Sequence, residues 1–325
     1  MATEKKQLTV SVIAPIYGVE PYIGQFAESL LSQTYDGIQF IFVNDGTKDN
    51  SMGVLKNLIE SRFSHLKDRI TIVDKQNEGL PKARETGLKY ATGDYILHVD
   101  SDDWLETDTI ECLVRKAEET QADIVYYDFY KEYSYRSKKD VEREYTAADK
   151  SKFIANLMNY RAYGYVWNKM TKRSLYLDNK IYFPLYPMHE DIYLVSQLIC
   201  YSSSIAHLNK ALYHYRRTNP GSITAKNKIK RRKDSVMNML NLYEHFRDNI
   251  AGSPAEPMKD TILLRAGWFS LIYGFDLFSQ YDYLLEDVRK VPISLRHRLF
   301  LPCQVILRIY VNNLRRKMKR NQLPR

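Results

Sequence analysis

Short apolar segments alternate with longer amphipathic segments through the first 130 residues, and this alternation constrains the fold more than any other feature of the sequence. The segments between the apolar ones have helical periodicity. In the first of them, for example, Tyr22, Phe26 and Leu30 recur at helical spacing. The strand-like segments are 8–17, 38–45, 69–75, 93–100 and 122–130. Apolar strands joined by helices of about 10 to 15 residues are typical of an α/β fold, in which helices cover both faces of a mostly parallel sheet.

The pattern changes after residue 145. The segments 149–170 and 189–203 and the stretches after residue 230 have helical patterns, whereas 205–217 contains short strand-like pieces. The highly charged segment 130–145 is predicted to be an exposed hairpin or loop. We therefore expect three parts, namely 1–130, 131–228 and a mainly helical C-terminal extension over 229–325.

The net charge of +9 is concentrated at the C-terminal end of the sequence. Residues 288–325 contain 11 Lys or Arg and no Asp or Glu, which leaves 37 basic against 39 acidic residues elsewhere. Such a basic tail can bind an anionic membrane surface or nucleic acid. Because apolar residues are interleaved with basic ones in 299–320, the sequence favours a helix at a bilayer interface. A solvated basic end beside an ordinary core helix is the alternative.

Three widely spaced cysteines, Cys112, Cys200 and Cys303, fit neither a disulfide framework nor a zinc cluster, and they indicate a reducing compartment. The N-terminal segment lacks the apolar core and cleavage site of a secretory signal. No apolar run reaches the roughly 18 residues of a membrane-spanning helix. We therefore expect a cytoplasmic location.

Polar or conformationally special residues lie at the ends of four of the expected strands. They are Pro15–Tyr17, Asn44–Gly46, Lys75–Gly79 and Asp100–Asp103. Since ligands of such sheets bind outside the carboxyl ends of the strands, these residues are expected to share one rim that suits a charged ligand. The acidic cluster could hold a hard divalent cation, because Mg²⁺ and Mn²⁺ bind one or two carboxylates together with substrate phosphates. A solvated turn or a helix cap is the alternative.

The sequence resembles the family 2 nucleotide-sugar glycosyltransferases of the GT-A fold over residues 8–225. The resemblance rests, in the family's order, on VSVIAPIYGVEPYIGQFAESLLSQTY, FVNDGTKDNS, NEGLPKARETGLKYATGDYILHVDSDDWLE, VWNKMTKRSLY and HEDIYLVSQLI with ALYHYRRTNPGSIT. Three positions depart from the family's pattern: Gly18 stands in place of Asn, Asn44 in place of the first of two Asp residues, and Thr47 in place of Ser. The loss of an Asp at position 44 puts fine nucleotide preference in doubt.

The resemblance implies a GT-A fold, a Rossmann-like sheet flanked by helices, with a nucleotide-sugar-binding half (1–130), an acceptor-side half (131–228) and a basic, membrane-proximal extension (229–325). It also implies roles for the rim residues. Pro15 and Tyr17 would lie under the nucleoside, Asp45 would accept the N3 hydrogen of uracil, Lys82 and Arg84 would face the ribose or diphosphate, and Asp100 and Ser101 would lie beside the nucleotide. Asp102, Asp103 and Asp100 would hold Mn²⁺ or Mg²⁺ on the donor diphosphate.

Transfer of a sugar also requires a group that removes the proton of the acceptor hydroxyl. The resemblance implies Asp191, with Glu190 next, and an inverting reaction in which one displacement forms a β-linked product. Acidic residues that merely favour a helix N-terminus are the alternative. Trp167 would form an acceptor wall or part of the core, and Arg216 and Arg217 could close over the diphosphate.

The expected partners are a nucleotide-sugar donor, probed first as a UDP-sugar, a saccharide or lipid-linked saccharide acceptor, and an anionic membrane at the inner face of the plasma membrane; nucleic acid is not expected. A nucleotidyltransferase is disfavoured because the segment after the first strand has no Gly-rich cradle and no nearby basic residue. A catalytically inactive, membrane-attached scaffold is the remaining alternative, and the retained carboxylates argue against it.

Overall fold

The computed structural model describes residues 7–158, 160–179, 181–221, 228–249, 256–273 and 281–291. The chain divides into two compact units, Met1–Lys226 and Asn227–Arg325. The first unit is a sheet with flanking helices, and the described part of the second unit is helical. The expected α/β architecture with a mainly helical C-terminal region is therefore confirmed.

The strands lie close to the expected apolar segments in the first 130 residues. They are β1 (Val10–Ile16), β2 (Ile38–Asn44), β3 (Ile70–Asp74), β4 (Tyr95–His98), β5 (Trp104–Leu105), β6 (Ile124–Glu132), β7 (Ser137–Asp140), β8 (Lys169–Lys172) and β9 (Ile205–Arg216).

The helices of the first unit separate these strands. They are α1 (Glu20–Leu31), α2 (Ser51–Arg62), α3 (Leu80–Tyr90), α4 (Thr109–Thr120), α5 (Lys150–Met158), α6 (Arg173–Asp178) and α7 (Glu190–Tyr201). Two short 3₁₀ helices, Ser64–Arg69 and Ala147–Asp149, precede β3 and α5.

One sheet contains these strands in the order β3-β2-β1-β4-β8-β6-β9-β5, with β7 paired to the end of β6. The pairs among β3, β2, β1 and β4 are all parallel, and β6 pairs with β9 in parallel as well. β8 is antiparallel to both β4 and β6. Six of the strands consequently run in one direction, and the carboxyl ends of β1, β2, β3 and β4 meet at one rim of the sheet.

All residues of β1 are buried, which fits a central strand with helices on both faces. α3 approaches the sheet closely, because a Cβ on Gly87 would lie only 2.4 Å from a methyl carbon of Ile13. The side of α3 that carries Ala83, Arg84 and Gly87 therefore faces the sheet, and these three residues are buried. This close contact brings Arg84 under the rim.

The expectation of a helix over 149–170 is only partly correct. α5 ends at Met158, and residues 163–168 form an irregular segment that leads into β8. Gly164 packs against Ile192 so closely that a Cβ there would lie 2.4 Å from the Ile192 side chain. The pairing of β8 between β4 and β6 spans distant parts of the sequence, so tertiary contacts override the local helical pattern here.

The charged segment 130–145 forms the hairpin that was expected. β7 pairs antiparallel with the end of β6, from Phe129 opposite Asp140 to Glu132 opposite Ser137. β6 itself continues across residue 130, so one sheet joins the parts 1–130 and 131–228.

The second unit contains α8 (Lys228–Asn249), α9 (Glu256–Tyr273) and α10 (Asp282–Lys290). Asp287 of α10 accepts a hydrogen bond from the Tyr243 hydroxyl at 2.8 Å and pairs with Arg247 at 3.1 Å. In the described ranges, no helix combines the length and the apolar character needed to cross a bilayer. The basic segment 292–325, on which the expected membrane contact depends, lies outside the described residues.

Candidate active site

The loops after β1, β2 and β3 each contain a glycine with a positive φ angle at the rim. Gly18, Gly46 and Gly79 have φ angles of 67°, 65° and 92°. A side chain on Gly46 would meet the backbone nitrogen of Asn77 at 2.9 Å. Since residues with a Cβ rarely adopt this conformation, glycine allows the loops to turn sharply and lie close together at the site.

The loop after β4 carries the acidic cluster, and Asp103 fastens this loop to β9. The Asp103 side chain is only 1% exposed, and its two oxygens accept hydrogen bonds from the Tyr213 hydroxyl at 2.9 Å and the Arg216 backbone nitrogen at 2.7 Å. Burial, followed by the charges of Asp102 and Asp100, raises the pKa of Asp103 well above its usual value. Asp103 thus positions the loop, and its expected part in a metal site stays a prediction.

Asp102 is the member of the cluster that is best placed to receive a cation. Its side chain is partly exposed and accepts one hydrogen bond, from Asn219 at 2.8 Å. Within the described ranges it forms no ion pair. The loop is held from behind by Arg216, whose Nε donates to the Asp102 carbonyl oxygen at 2.8 Å. A carboxylate oxygen therefore remains available on a firmly anchored loop.

Arg84 connects the acidic loop with the start of α7. Its guanidinium donates to Asp100 at 2.8 Å, to Glu190 at 2.9 Å and to Asp191 at 2.7 Å, and the residue is 1% exposed. The nearby carboxylates favour its charged form, and the pKa of Arg84 is raised although burial alone would lower it. In this arrangement Arg84 orients three carboxylates, while its expected contact with ribose or diphosphate stays a prediction.

The three carboxylates around Arg84 differ in their electrostatic environment. Burial and then the charge of Asp191 raise the pKa of Glu190 well above its usual value. Burial raises the pKa of Asp100 to about 6, against the opposing effect of Arg84. Asp191 keeps 18% of its side chain exposed, compared with 8% for Glu190. Glu190 is therefore suited to hold a proton, and Asp191 is the more accessible of the pair.

The residues expected to bind the nucleoside are distributed along the rim. Tyr17 is 50% exposed, and the Pro15 carbonyl oxygen accepts a hydrogen bond from the Ser101 hydroxyl at 2.7 Å. Asp45 is 3% exposed and accepts from the backbone nitrogens of Glu78 at 3.1 Å and Gly79 at 2.9 Å.

Two basic residues near this rim pair with carboxylates of their own. Lys75, which the sequence placed at the rim without assigning it a role, donates to Asp45 at 3.0 Å. Lys82 pairs with Glu85 at 2.6 Å and is partly exposed. The structure thus brings Asp45 together with the loop after β3, and it joins Pro15 to Ser101. The Lys82 side chain instead contacts a neighbour on its own helix.

The three departures from the family's pattern form one hydrogen-bonded group. The Asn44 amide donates to Asp74 at 2.7 Å and accepts from the Thr47 backbone nitrogen at 3.0 Å. The Thr47 hydroxyl accepts from the Gly18 nitrogen at 2.9 Å. Because Asn44 lies opposite Asp74 in the β2–β3 pair, an aspartate at position 44 would face a like charge. The amide removes this repulsion.

Aromatic residues pack beside the carboxylates. Trp167 is 1% exposed and stacks on Tyr213 with the ring centres 4.2 Å apart, so it belongs to the core rather than to an acceptor wall. Tyr165 also stacks on Trp167, with the ring centres 4.6 Å apart, and remains partly exposed. Its ring also contacts Tyr215 at 5.5 Å. Tyr165 and Tyr215 therefore form the accessible edge of this aromatic group.

Lys169 holds the segment that presents these rings. Its ammonium group donates to the carbonyl oxygens of Tyr163 at 2.9 Å and Tyr165 at 3.0 Å and to the Asn168 side chain at 2.6 Å. Burial lowers the pKa of Lys169 to about 8, although the charges of Glu142 and Asp191 oppose this shift. The sequence assigned no role to Lys169, and only its place in the VWNKM segment could have pointed to it.

A second stack holds the acidic loop. The Arg216 guanidinium lies 4.7 Å from the centre of the Trp104 ring, and Trp104 stacks on His214 at 4.8 Å. The two ring nitrogens of His214 lie 2.8 Å from Glu132 and 2.9 Å from Glu106. The sequence suggested that Arg216 could close over the diphosphate, but its observed contacts fix the strand and loop that follow β4.

Comparison with known proteins agrees with this fold. The family model for glycosyl transferase family 2 matches residues 11–196, more than half of the chain, so the chain belongs to that family. It is 33% identical over 217 residues to the glycosyltransferase GlyA of Streptococcus pneumoniae, covering 64% of this chain and 30% of GlyA. It is 28% identical over 219 residues to the minor teichoic acid biosynthesis protein GgaB of Bacillus subtilis, covering 65% of this chain and 23% of GgaB. The chain thus spans less than a third of either relative.

Among solved structures, the chain is similar to residues 1–349 of TarS from S. aureus in complex with UDP-GlcNAc. The TM-score is 0.63 at 21% sequence identity, and the match covers 88% of this chain and 77% of the TarS chain. This likeness concerns the fold. With the family membership it confirms the GT-A architecture that the resemblance implied.

Proposed function

We propose that this protein is an inverting glycosyltransferase that moves one sugar from a nucleotide-sugar, namely a UDP-sugar, to a saccharide acceptor. The observation that carries the proposal is the Arg84 cluster, in which Asp100 of the acidic loop and Asp191 at the start of α7 meet on one guanidinium. A donor-side carboxylate and a candidate base are thereby held next to each other. The family membership gives the reaction class.

The donor nucleotide is proposed to lie across the rim formed by the loops after β1, β2 and β3. Tyr17 has the exposure needed for stacking on a base. Asp45 accepts three protein hydrogen bonds, and a carboxylate offers about four lone-pair sites, which leaves one for the N3 hydrogen of uracil. The UDP-GlcNAc complex of TarS, whose fold is similar, supports a uridine nucleotide as the first donor to test.

A divalent cation fits the acidic loop through Asp102. Its carboxylate is partly exposed and free of ion pairs within the described residues, and hard oxygen ligands of this kind suit Mn²⁺ and Mg²⁺. The other two aspartates would hold the loop in place. Asp100 pairs with Arg84, and Asp103 accepts hydrogen bonds from Tyr213 and Arg216. When bound, the ion would neutralise charge on the departing diphosphate.

Asp191 is proposed to remove the proton of the acceptor hydroxyl. The attacking oxygen forms a bond to the anomeric carbon as the bond to the nucleotide diphosphate breaks, and the proton passes to Asp191. A single displacement of this kind inverts the anomeric configuration. Burial and the neighbouring Asp191 raise the pKa of Glu190, which makes Asp191 the better candidate for the base, and Arg84 fixes the orientation of both groups.

The proposed process is the synthesis of a bacterial cell-surface polysaccharide, with an acceptor that could be lipid-linked. The similarity to a minor teichoic acid biosynthesis protein supports this class of product. The basic residues of 288–325 suggest a position at the inner face of the plasma membrane, as a peripheral protein.

The test is a panel of UDP-, GDP- and dTDP-sugars screened for nucleotide release with and without Mn²⁺, combined with Asp191→Asn and Glu190→Gln. We expect metal-dependent release from a UDP-sugar, about 10²- to 10⁴-fold slower transfer in Asp191→Asn with unchanged UDP binding, and a smaller loss in Glu190→Gln. Glu60→Gln, on an exposed surface pair with Lys67, serves as the control. Wild-type turnover in Asp191→Asn would refute the base assignment, and UDP binding without any release would favour the inactive scaffold.

A further inference from the structure

A chain of aromatic and arginine side chains extends from the carboxylates to the tip of the β6–β7 hairpin. Tyr165 contacts Tyr215 at 5.5 Å, and the Arg217 guanidinium lies 5.2 Å from the centre of the Tyr215 ring. The Arg217 backbone nitrogen donates to the Glu132 carbonyl oxygen at 2.8 Å, at the base of the hairpin. Gly164, the neighbour of Tyr165, packs against Ile192, the neighbour of Asp191, so this end of the row of side chains lies near the candidate base.

The hairpin tip continues the same pattern on the surface. Arg136 lies 5.4 Å from the ring centres of both Tyr133 and Tyr135, and Tyr135 is 76% exposed. A backbone hydrogen bond from Tyr133 to Arg136 closes the turn at 2.9 Å. Tyr135 is not needed for the core. An exposed tyrosine beside a guanidinium is typical of a recognition surface rather than of a structural turn.

The charges of this surface are not all alike. Lys138 pairs with Asp140 at 3.1 Å, and Lys139 lies 3.8 Å from Asp128. Within the described residues Arg136 and Arg217 have no carboxylate partner. The Glu132 side chain on the same hairpin accepts a hydrogen bond from Ser137 at 2.7 Å and contacts His214. Two guanidinium groups without a carboxylate partner among the described residues therefore lie along the row of tyrosines.

We propose that Tyr165, Tyr215, Arg217, Tyr133, Arg136 and Tyr135 form an acceptor-binding track for an anionic saccharide, whose sugar rings pack on the tyrosines and whose phosphate or carboxylate groups pair with the two arginines. The inference rests on the proposed function and specifies its acceptor class. Aromatic rings bind the apolar faces of sugars, and a guanidinium matches planar or phosphate oxyanions through two hydrogen bonds. Two separate guanidinium groups on one surface suit a saccharide with repeated charges better than one with a single charged end.

The test measures binding of the full-length protein to dextran phosphate, polygalacturonate and neutral dextran by affinity electrophoresis. We expect wild-type protein to be retarded by the two anionic polysaccharides and little by dextran. Arg136→Ala and Arg217→Ala should each weaken this binding about tenfold, as loss of a hydrogen bond to a charged group does. Lys138→Ala is the matched control, because its ammonium group lies on the same hairpin but is paired with Asp140, a carboxylate that it shares with Lys131.

The track would be overturned if dextran and dextran phosphate retarded the wild type equally, or if neither anionic polysaccharide bound. It would also be overturned if Lys138→Ala lost as much polysaccharide binding as the arginine variants. Reduced UDP affinity in Arg217→Ala would assign that arginine to the diphosphate instead. Vesicles containing phosphatidylglycerol give a further arm: if the arginine variants lose vesicle binding and keep polysaccharide binding, the surface faces lipid and the proposal is wrong. UDP titration of the wild type reports separately on the proposed function.

Discussion

At the scale of single residues, Arg84 decides the geometry of the site. Its side chain was expected at the ribose or diphosphate, but it is buried and pairs with Asp100, Glu190 and Asp191. A surface helix position would have looked the same in the sequence. Only the close contact of α3 with the sheet at Gly87 turns this arginine inward, where it holds groups that are distant in sequence.

Replacement of Arg84 should therefore destabilise the fold strongly. Arg84→Met would leave buried carboxylates without their cation, which typically costs about 3–5 kcal/mol in the free energy of unfolding. Urea denaturation followed by far-UV circular dichroism measures this loss. Arg62→Met is the control, because the Arg62–Glu28 pair is exposed and such pairs contribute about 0–1 kcal/mol. Similar losses in the two variants would contradict the central place of Arg84.

At the scale of elements, β9 supports the acidic loop. Asp103 accepts from the Tyr213 hydroxyl and the Arg216 nitrogen, and β5 pairs antiparallel with β9 at Trp104 and Leu105. The sequence indicated short strand-like pieces in this region, without their register or partners. The anchoring of the loop depends on a strand more than 100 residues away.

Because β9 holds the acidic loop in place, a change in β9 should affect metal binding. Arg216→Lys keeps the positive charge but loses the planar stack on Trp104 and the hydrogen bond to the Asp102 carbonyl. Loss of a residue that orients a metal ligand typically weakens metal affinity about 10- to 100-fold, so the Mn²⁺ concentration for half-maximal nucleotide release should rise by that factor. Lys210→Arg, on the same strand but paired with Asp108 at 2.5 Å, should leave it unchanged. An unchanged Mn²⁺ requirement in Arg216→Lys would exclude this role for the stack.

At the scale of the whole molecule, the chain contains two compact units that meet in sequence between Lys226 and Asn227. The large core of buried residues from Val10 to Tyr213 belongs entirely to the first unit. A core of this size is sufficient for independent folding. The functional labels of the parts 1–130, 131–228 and 229–325 stay predictions.

A fragment of residues 1–226 is therefore expected to fold alone. It should unfold cooperatively with heat and bind UDP with the affinity of the full chain, because the rim residues all lie within it. Binding to anionic vesicles should be lost together with the basic tail. Calorimetry, UDP titration and vesicle sedimentation measure the three properties. A fragment without a cooperative transition would show that the first unit depends on the second.

Local pattern in the sequence was sufficient for the first half of the fold. The alternation of buried strands and amphipathic helices located β1 to β4 and α1 to α4, because hydrophobic periodicity and helix length are local properties. It also located the carboxylates at the strand ends. The irregular segment 163–168 and β8 were missed, since their stability comes from contacts of Gly164 with Ile192 and from pairing with β4 and β6.

The sequence by itself determined the fold class, the family and the acidic residues at the rim. Only the tertiary structure decided how those residues differ: Asp102 is partly exposed, Asp103 is locked onto β9, and Glu190 is buried beside Asp191. The reason is physical. Residue type and spacing fix which groups can ionise, whereas burial and neighbouring charges fix which of them hold a proton and which face a ligand.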